Sequence, residues 1–230
     1  MIREIVLKKL KDREEQNYEY IRVSELGGCP LAPALRLKGY SPEIDEKTLL
    51  ILELGNGVHL NMQEILKDEL EYVEHEIFDH ELKIVGHPDG VINDTVVEFK
   101  TISPWALKKA EVLPYPHHIF QLTGYMYLLK KDKGLIAYID KSSGEIYEYP
   151  VQLTDEDIEI LKNKVNLIYA LSQQSTETLS LLDKETLDVK DWQCKYCFYK
   201  HCCPVNNKGG IDIESKSSAC SPRNSRADCG

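Results

Sequence analysis

Apolar residues recur along this chain in two rhythms, one helical and one alternating. Ile2, Ile5, Val6 and Leu10 keep helical spacing and predict an amphipathic helix over residues 2–16. Residues 45–71 predict a longer helix, with Leu54, Val58, Met62, Ile65 and Leu66 along one side. Gly55 and Gly57 lie inside that helix and weaken it, which points to close packing or to substrate approach. From Tyr72 to Thr101 the rhythm changes to that of strands, with segments around 73–78, 82–92 and 95–101. Helix returns over residues 117–131, after the breakers Pro114 and Pro116. Residues 135–140 and 145–151 predict a hairpin around Ser142-Ser143-Gly144. Thr154 and Asp157 form a capping pair for a helix to about Ser172, which buries Ile158, Leu161, Val165 and Ile168. Nearer the start, Ser24 is placed to cap a short turn leading into Gly27-Gly28-Cys29-Pro30.

Length bounds this picture to one domain, over residues 1–205, followed by a polar tail over 206–230 without periodicity. No apolar run reaches the length of a membrane span, and the first residues lack a signal-peptide core, so the expected setting is the reducing cytoplasm. Seven cysteines in such a setting are metal ligands or free thiols more often than disulfides. A net charge of −10 argues against a protein that holds nucleic acid by overall charge, although a local groove can still be positive. The lysine clusters at 8–11, 108–109 and 130–133 read as solvated helix faces.

Chemistry concentrates in two places. Cys29 stands alone near the start, while Cys194, Cys197 and Cys203 form a Cys-x2-Cys-x5-Cys-Pro group near the end. Four thiolates suit a tetrahedral zinc or an iron–sulphur cluster, and spacing does not choose between them. Cys202 is an extra thiol beside Cys203, and Cys220 and Cys229 fall in the tail.

The second place is the run from Gly86 to Thr101. If Asn93-Asp94 is a two-residue hairpin loop, Ile92 faces Thr95 and Asp89 falls opposite Glu98. Their Cβ atoms would then lie about 4.5–5.5 Å apart, a distance at which two carboxylates need a cation between them. Alternation puts Glu98 and Lys100 on one face and Val97 and Phe99 on the other. Oxygen ligands favour Mg²⁺ or Mn²⁺, which orient phosphates and activate water. His59 on the long helix can reach this spot, and Gln121 and Tyr125 share one helix face.

The ordered set Gly55…His59, Gly86…Asp89-Gly90, Glu98-Phe99-Lys100 and Gln121…Tyr125 resembles the RecB-like branch of the PD-(D/E)XK nucleases. With the split cysteines added, the chain is similar to the CRISPR-associated RecB-like nucleases, the fourth CRISPR-associated protein family, from about Ser24 to Pro204. The resemblance implies an α/β fold: a restriction-endonuclease-like core over about 45–175, with a mixed sheet flanked by helices. A helical iron–sulphur subdomain would form from about 20–40 and 176–205. It further implies metal held by His59, Asp89, Glu98 and the Phe99 carbonyl, with Lys100 catalytic and Gln121 and Tyr125 positioning it or the phosphate. A [4Fe–4S] cluster would sit on Cys29, Cys194, Cys197 and Cys203. The implied activity is exonuclease action on single-stranded DNA or overhangs during CRISPR spacer acquisition, in partnership with the integrase complex. Two alternatives stand beside it: a viral or repair nuclease outside CRISPR, and a non-catalytic scaffold that binds DNA ends.

Overall fold

The Asn93-Asp94 loop sets the register of the main sheet. Both residues have positive φ, 47° and 66°, the backbone that a two-residue type I′ turn demands. Strand β4 (Gly90–Ile92) therefore pairs with β5 (Thr95–Ile102) as Ile92 to Thr95, Val91 to Val96 and Gly90 to Val97. The computed structural model describes residues 1–12, 19–71 and 75–206 of the chain. Readings that reached 13–16, 72–74 and 207–230, including Cys220 and Cys229, lie outside these residues.

Strand β5 runs parallel to β6 (Lys133–Asp140) along its whole length, and β6 runs antiparallel to β7 (Ile146–Gln152). The result is a mixed sheet in the order β4-β5-β6-β7. A parallel pair needs a long crossover. Here α4 (Pro104–Lys109) and α5 (Pro116–Leu129) supply it. Alternation along β5 then separates two cores. Val97 and Phe99 bury against Leu70 and Ala137, while Val96 and Ile102 face the larger core with Leu122, Met126 and Leu161. Helix α3 (Glu46–Ile65) contacts β5, and α5 contacts both β5 and β6 from the larger core. Helix α6 (Asp155–Ser172) starts at the predicted reciprocal cap: Thr154 Oγ1 accepts from Asp157 N at 3.2 Å, and Asp157 Oδ2 accepts from Thr154 N at 3.0 Å.

A second sheet, in the order β1-β3-β2, joins β1 (Ile21–Arg22), β2 (Ile77–Asp79) and β3 (Ile84–Gly86). The expected single segment over 82–92 is thus two strands in two sheets, broken at His87-Pro88-Asp89, where proline has no N–H to give. Position 86, the last of β3, has room only for glycine, because a Cβ there would stand 2.8 Å from the Tyr125 ring. Helix α2 (Leu31–Leu37) packs on α6 and carries the fully buried Arg36. Arg36 donates twice to Glu25, each at 2.7 Å, and once to the Tyr20 carbonyl. One buried cluster runs from Ile21 and Leu26 through Leu187, Tyr199 and Cys203. The chain is completed by α1 (Ile2–Lys11), α7 (Thr176–Ser180) and α8 (Asp191–Lys195).

Three expectations need correction. In α3, Leu54 and Ile65 are each 65% exposed, and the inward face is Val58, His59, Met62, Gln63 and Leu66. Gly55 and Gly57 do not mark close packing, since a Cβ at either would meet nothing within 4 Å. The short 3-10 turn Val23–Glu25 is preceded by Arg22 rather than capped by Ser24, and Arg22 N donates to Glu25 Oε2 at 3.1 Å. No helix among the described residues is long and apolar enough to cross a membrane.

Candidate active site and cysteine centre

Strand β5 carries Glu98 and Lys100 on the face that looks toward α5, and the turn before β4 brings Asp89 beside them. The β4–β5 ladder ends at Gly90, so Asp89 lies one residue past the pairing instead of inside it. Its carboxylate is fixed by backbone: Phe99 N donates to Asp89 Oδ2 at 2.7 Å. From α3, His59 Nδ1 meets Asp89 Oδ1 at 2.9 Å, and Gln63 Nε2 donates to the Asp89 carbonyl at 3.3 Å. On the other side, Lys100 Nζ stands 2.6 Å from Glu98 Oε1 and donates to Gln121 Oε1 at 3.0 Å. The Gln121 amide in turn donates to Glu98 Oε1 at 2.8 Å and to the Tyr125 hydroxyl at 3.0 Å. His59, Asp89, Glu98, Phe99, Lys100, Gln121 and Tyr125 therefore meet at one place.

Burial sets the electrostatics. Asp89 and Glu98 are 3% and 2% exposed. Desolvation, with the Asp89 charge added, pushes the Glu98 carboxyl up to about 7 against the pull of Lys100. Burial works against the His59 imidazolium, but the Asp89 hydrogen bond and the two acid charges outweigh it and raise the group. Two buried carboxyl groups side by side are a donor set that a divalent cation neutralises. Among the described residues, no three His, Cys, Asp or Glu side chains stand ready as a metal-binding group. Both acids are instead engaged by Phe99 N–H, His59, Lys100 and Gln121.

Gln63 was not legible as a site residue. Its only sequence signal is its place one turn after His59, which puts both on one face of α3. His117 and His118, at the start of α5, were also missed. With Gln121 they line a cleft of about 430 Å³, whose other wall includes Gly27, Gly28, Cys29, Trp192, Tyr196 and Cys197.

Behind that cleft, Cys29, Cys194, Cys197 and Cys203 line one small cavity, although Cys29 is remote in sequence from the other three. Cys202 turns away and donates to the Tyr199 carbonyl at 3.4 Å. Burial pushes the Cys29 thiol up to about 11, with Cys197 and Cys203 adding to the effect, and burial likewise raises Cys197 and Cys203. Such thiols stay protonated at neutral pH unless a metal takes the place of the proton. Thiolates are the donors that a soft-metal centre takes, although among the described residues these four are not drawn into a ready metal-binding group.

Buried acids and a lysine at the hairpin of a mixed sheet, backed by a glutamine–tyrosine helix, define a nuclease. The chain belongs to the PD-(D/E)XK nuclease superfamily, which it matches over residues 53–204. It is similar to the CRISPR-associated exonuclease Cas4 of Saccharolobus solfataricus (strain ATCC 35092 / DSM 1617 / JCM 11322 / P2). The two are 28% identical over 227 residues, covering 89% of this chain and 98% of that protein. Among solved structures, SSO0001 superposes with a TM-score of 0.62 at 25% identity, over 90% of this chain and 97% of that one. The alkaline exonuclease LHK-Exo from Laribacter hongkongensis shares the fold, with a TM-score of 0.51 at 16% identity over 68% and 89% of the two chains.

Proposed function

We propose that the protein is a metal-dependent DNA exonuclease acting on single-stranded DNA or overhangs, and that it processes DNA for CRISPR spacer acquisition beside the integrase complex. The observation that carries the reading is the buried network in which Lys100 and Gln121 both engage Glu98 next to Asp89. A scaffold that only bound DNA ends would have no use for two desolvated acids held against a lysine. The likeness to a Cas4 exonuclease along most of both chains supports the CRISPR context.

On this reading Asp89, Glu98, His59 and the Phe99 carbonyl hold Mg²⁺ or Mn²⁺. When bound, the ion supplies a Lewis acid at the scissile phosphate. Lys100 meets the charge that grows on the phosphate as water adds to phosphorus and the strand oxygen leaves. Gln121 holds the lysine through its oxygen, while Tyr125 accepts from the Gln121 amide and fixes its orientation. Cys29, Cys194, Cys197 and Cys203 hold a [4Fe–4S] cluster, which ties the two ends of the chain into one wall. The test is cleavage of labelled single-stranded DNA in Mn²⁺. Lys100→Ala should lower the rate by at least about a hundredfold while circular dichroism stays unchanged. A variant that cuts at the parental rate would overturn the assignment.

A further inference from the structure

His118 carries chemistry that the network around Glu98 does not use. It lies one turn before Gln121 on α5, so both side chains point to the same side of the helix and line the same cleft. Its Nδ1 stands 2.7 Å from the Tyr138 hydroxyl, which also accepts from Tyr115 N at 3.0 Å. Tyr138 is fully buried. Its hydroxyl is already an acceptor for that backbone N–H, and burial pushes its pKa up to about 12, so it keeps its proton. A buried hydroxyl proton without an acceptor is costly, and Nδ1 is the acceptor at hand. The proton on the His118 ring is thereby assigned to Nε2. Nε2 has no protein partner among the described residues, and it is not sealed away as a buried orphan.

Every titratable neighbour holds the ring neutral. Burial, then the Lys100 charge and His117, drive its pKa far down, while the rings of Tyr115 and Tyr138 pack against it. An imidazolium would repel the Lys100 ammonium, whereas a neutral N–H donor does not. The start of α5 thus holds a donor of fixed tautomer, one helical turn from Gln121 and opening onto the cleft.

We propose that His118 is a substrate-binding residue, whose Nε2–H, locked in place by Tyr138, donates to a non-bridging oxygen of the phosphate adjoining the scissile one. The proposal rests on the nuclease reading above. An acceptor is what an unpaired N–H selects, and the polyanionic strand that brings one phosphate to Lys100 brings the next to within a helical turn of it.

The test uses the full chain and a labelled single-stranded oligonucleotide, with binding read by fluorescence anisotropy in chelator and turnover read in Mn²⁺. His118→Ala should weaken binding and raise KM by roughly ten- to a hundredfold, with a smaller effect on kcat. His118→Gln, whose amide places a neutral donor near the Nε2 position, should recover most of the loss. In the parent, nitrogen NMR should show His118 with a bare Nδ1 and a protonated Nε2 throughout the neutral range, and Tyr138→Phe should mix the tautomers. Parental affinity in His118→Ala, or a ring protonated at Nδ1, would overturn the proposal. Should His118→Ala not fold, the Gln variant and the parental tautomer still decide. A parent that binds DNA but does not cleave it sinks the nuclease reading alone, and a cleaving parent with an indifferent His118→Ala sinks this one alone.

Discussion

Glu98 should make the metal-free protein less stable as it ionises. Its carboxyl is raised from 4.5 to about 7, chiefly by burial, so the folded chain holds that proton more tightly than the unfolded chain does. Stability then falls as pH rises from the unfolded value through the folded one, and stays lower above it. The displacement corresponds to about 3 kcal/mol at alkaline pH, before any ion is bound. Glu98→Gln keeps the shape and an oxygen to accept from Lys100 and Gln121, but carries no ionisation to suppress. In chelator, the variant should match the parent near the ordinary carboxyl pKa and exceed it by up to about 3 kcal/mol above pH 8. It should do so while failing to cut DNA. Anaerobic urea unfolding across that pH range measures the difference, and taking variant minus parent removes the other titrating groups. Returning Mn²⁺ should restore stability to the parent and do little for the variant, because binding to the folded state alone is what stabilises. A Glu98→Gln protein that is less stable than the parent at alkaline pH would refute the reasoning. So would a gap that does not change with pH.

Two further outcomes follow from other sites. Anaerobically purified protein should be brown and hold about four irons per chain, and Cys29→Ser should lose the colour; a colourless protein with one zinc would favour the other thiolate centre. Arg36→Met should cost about 3–5 kcal/mol in urea unfolding, because it strands the Glu25 carboxylate that accepts both guanidinium bonds. A loss below about 1 kcal/mol would mean that Glu25 finds water instead.

What the sequence showed of this site was whatever a local rule could reach. Asn93-Asp94 imposes a turn, the turn imposes a register, and the register alone sets Glu98 and Lys100 on one face with Val97 and Phe99 behind. Thr154 and Asp157 acted through three residues of separation and matched their prediction for the same reason. The reading failed where burial was set from a distance. Counting apolar residues turned α3 toward Leu54 and Ile65, but its inward face is chosen by Asp89, which draws in His59 and the polar Gln63. His118 is invisible for the same cause: its meaning comes from Tyr138 on a strand twenty residues later, and no spacing rule links them.

On the proposed reading, one cleft lets the cysteine cavity and the acidic site serve a single strand of DNA. Cys29 and Cys197 line both the thiol cavity and the cleft, and Gln121 lines the cleft from the side of the acidic network. Between them Gly27 presses on α5, since a Cβ there would fall 2.3 Å from the His117 carbonyl oxygen. The turn that carries Cys29 is therefore packed against the start of the helix that carries His118, Gln121 and Tyr125. Lys100 and Glu98 are held both by β5, through its full-length pairing with β6, and by Gln121 on that same helix. On the proposed reading, the centre acts on the strand through α5, which carries both the cleft wall and the glutamine that holds Lys100.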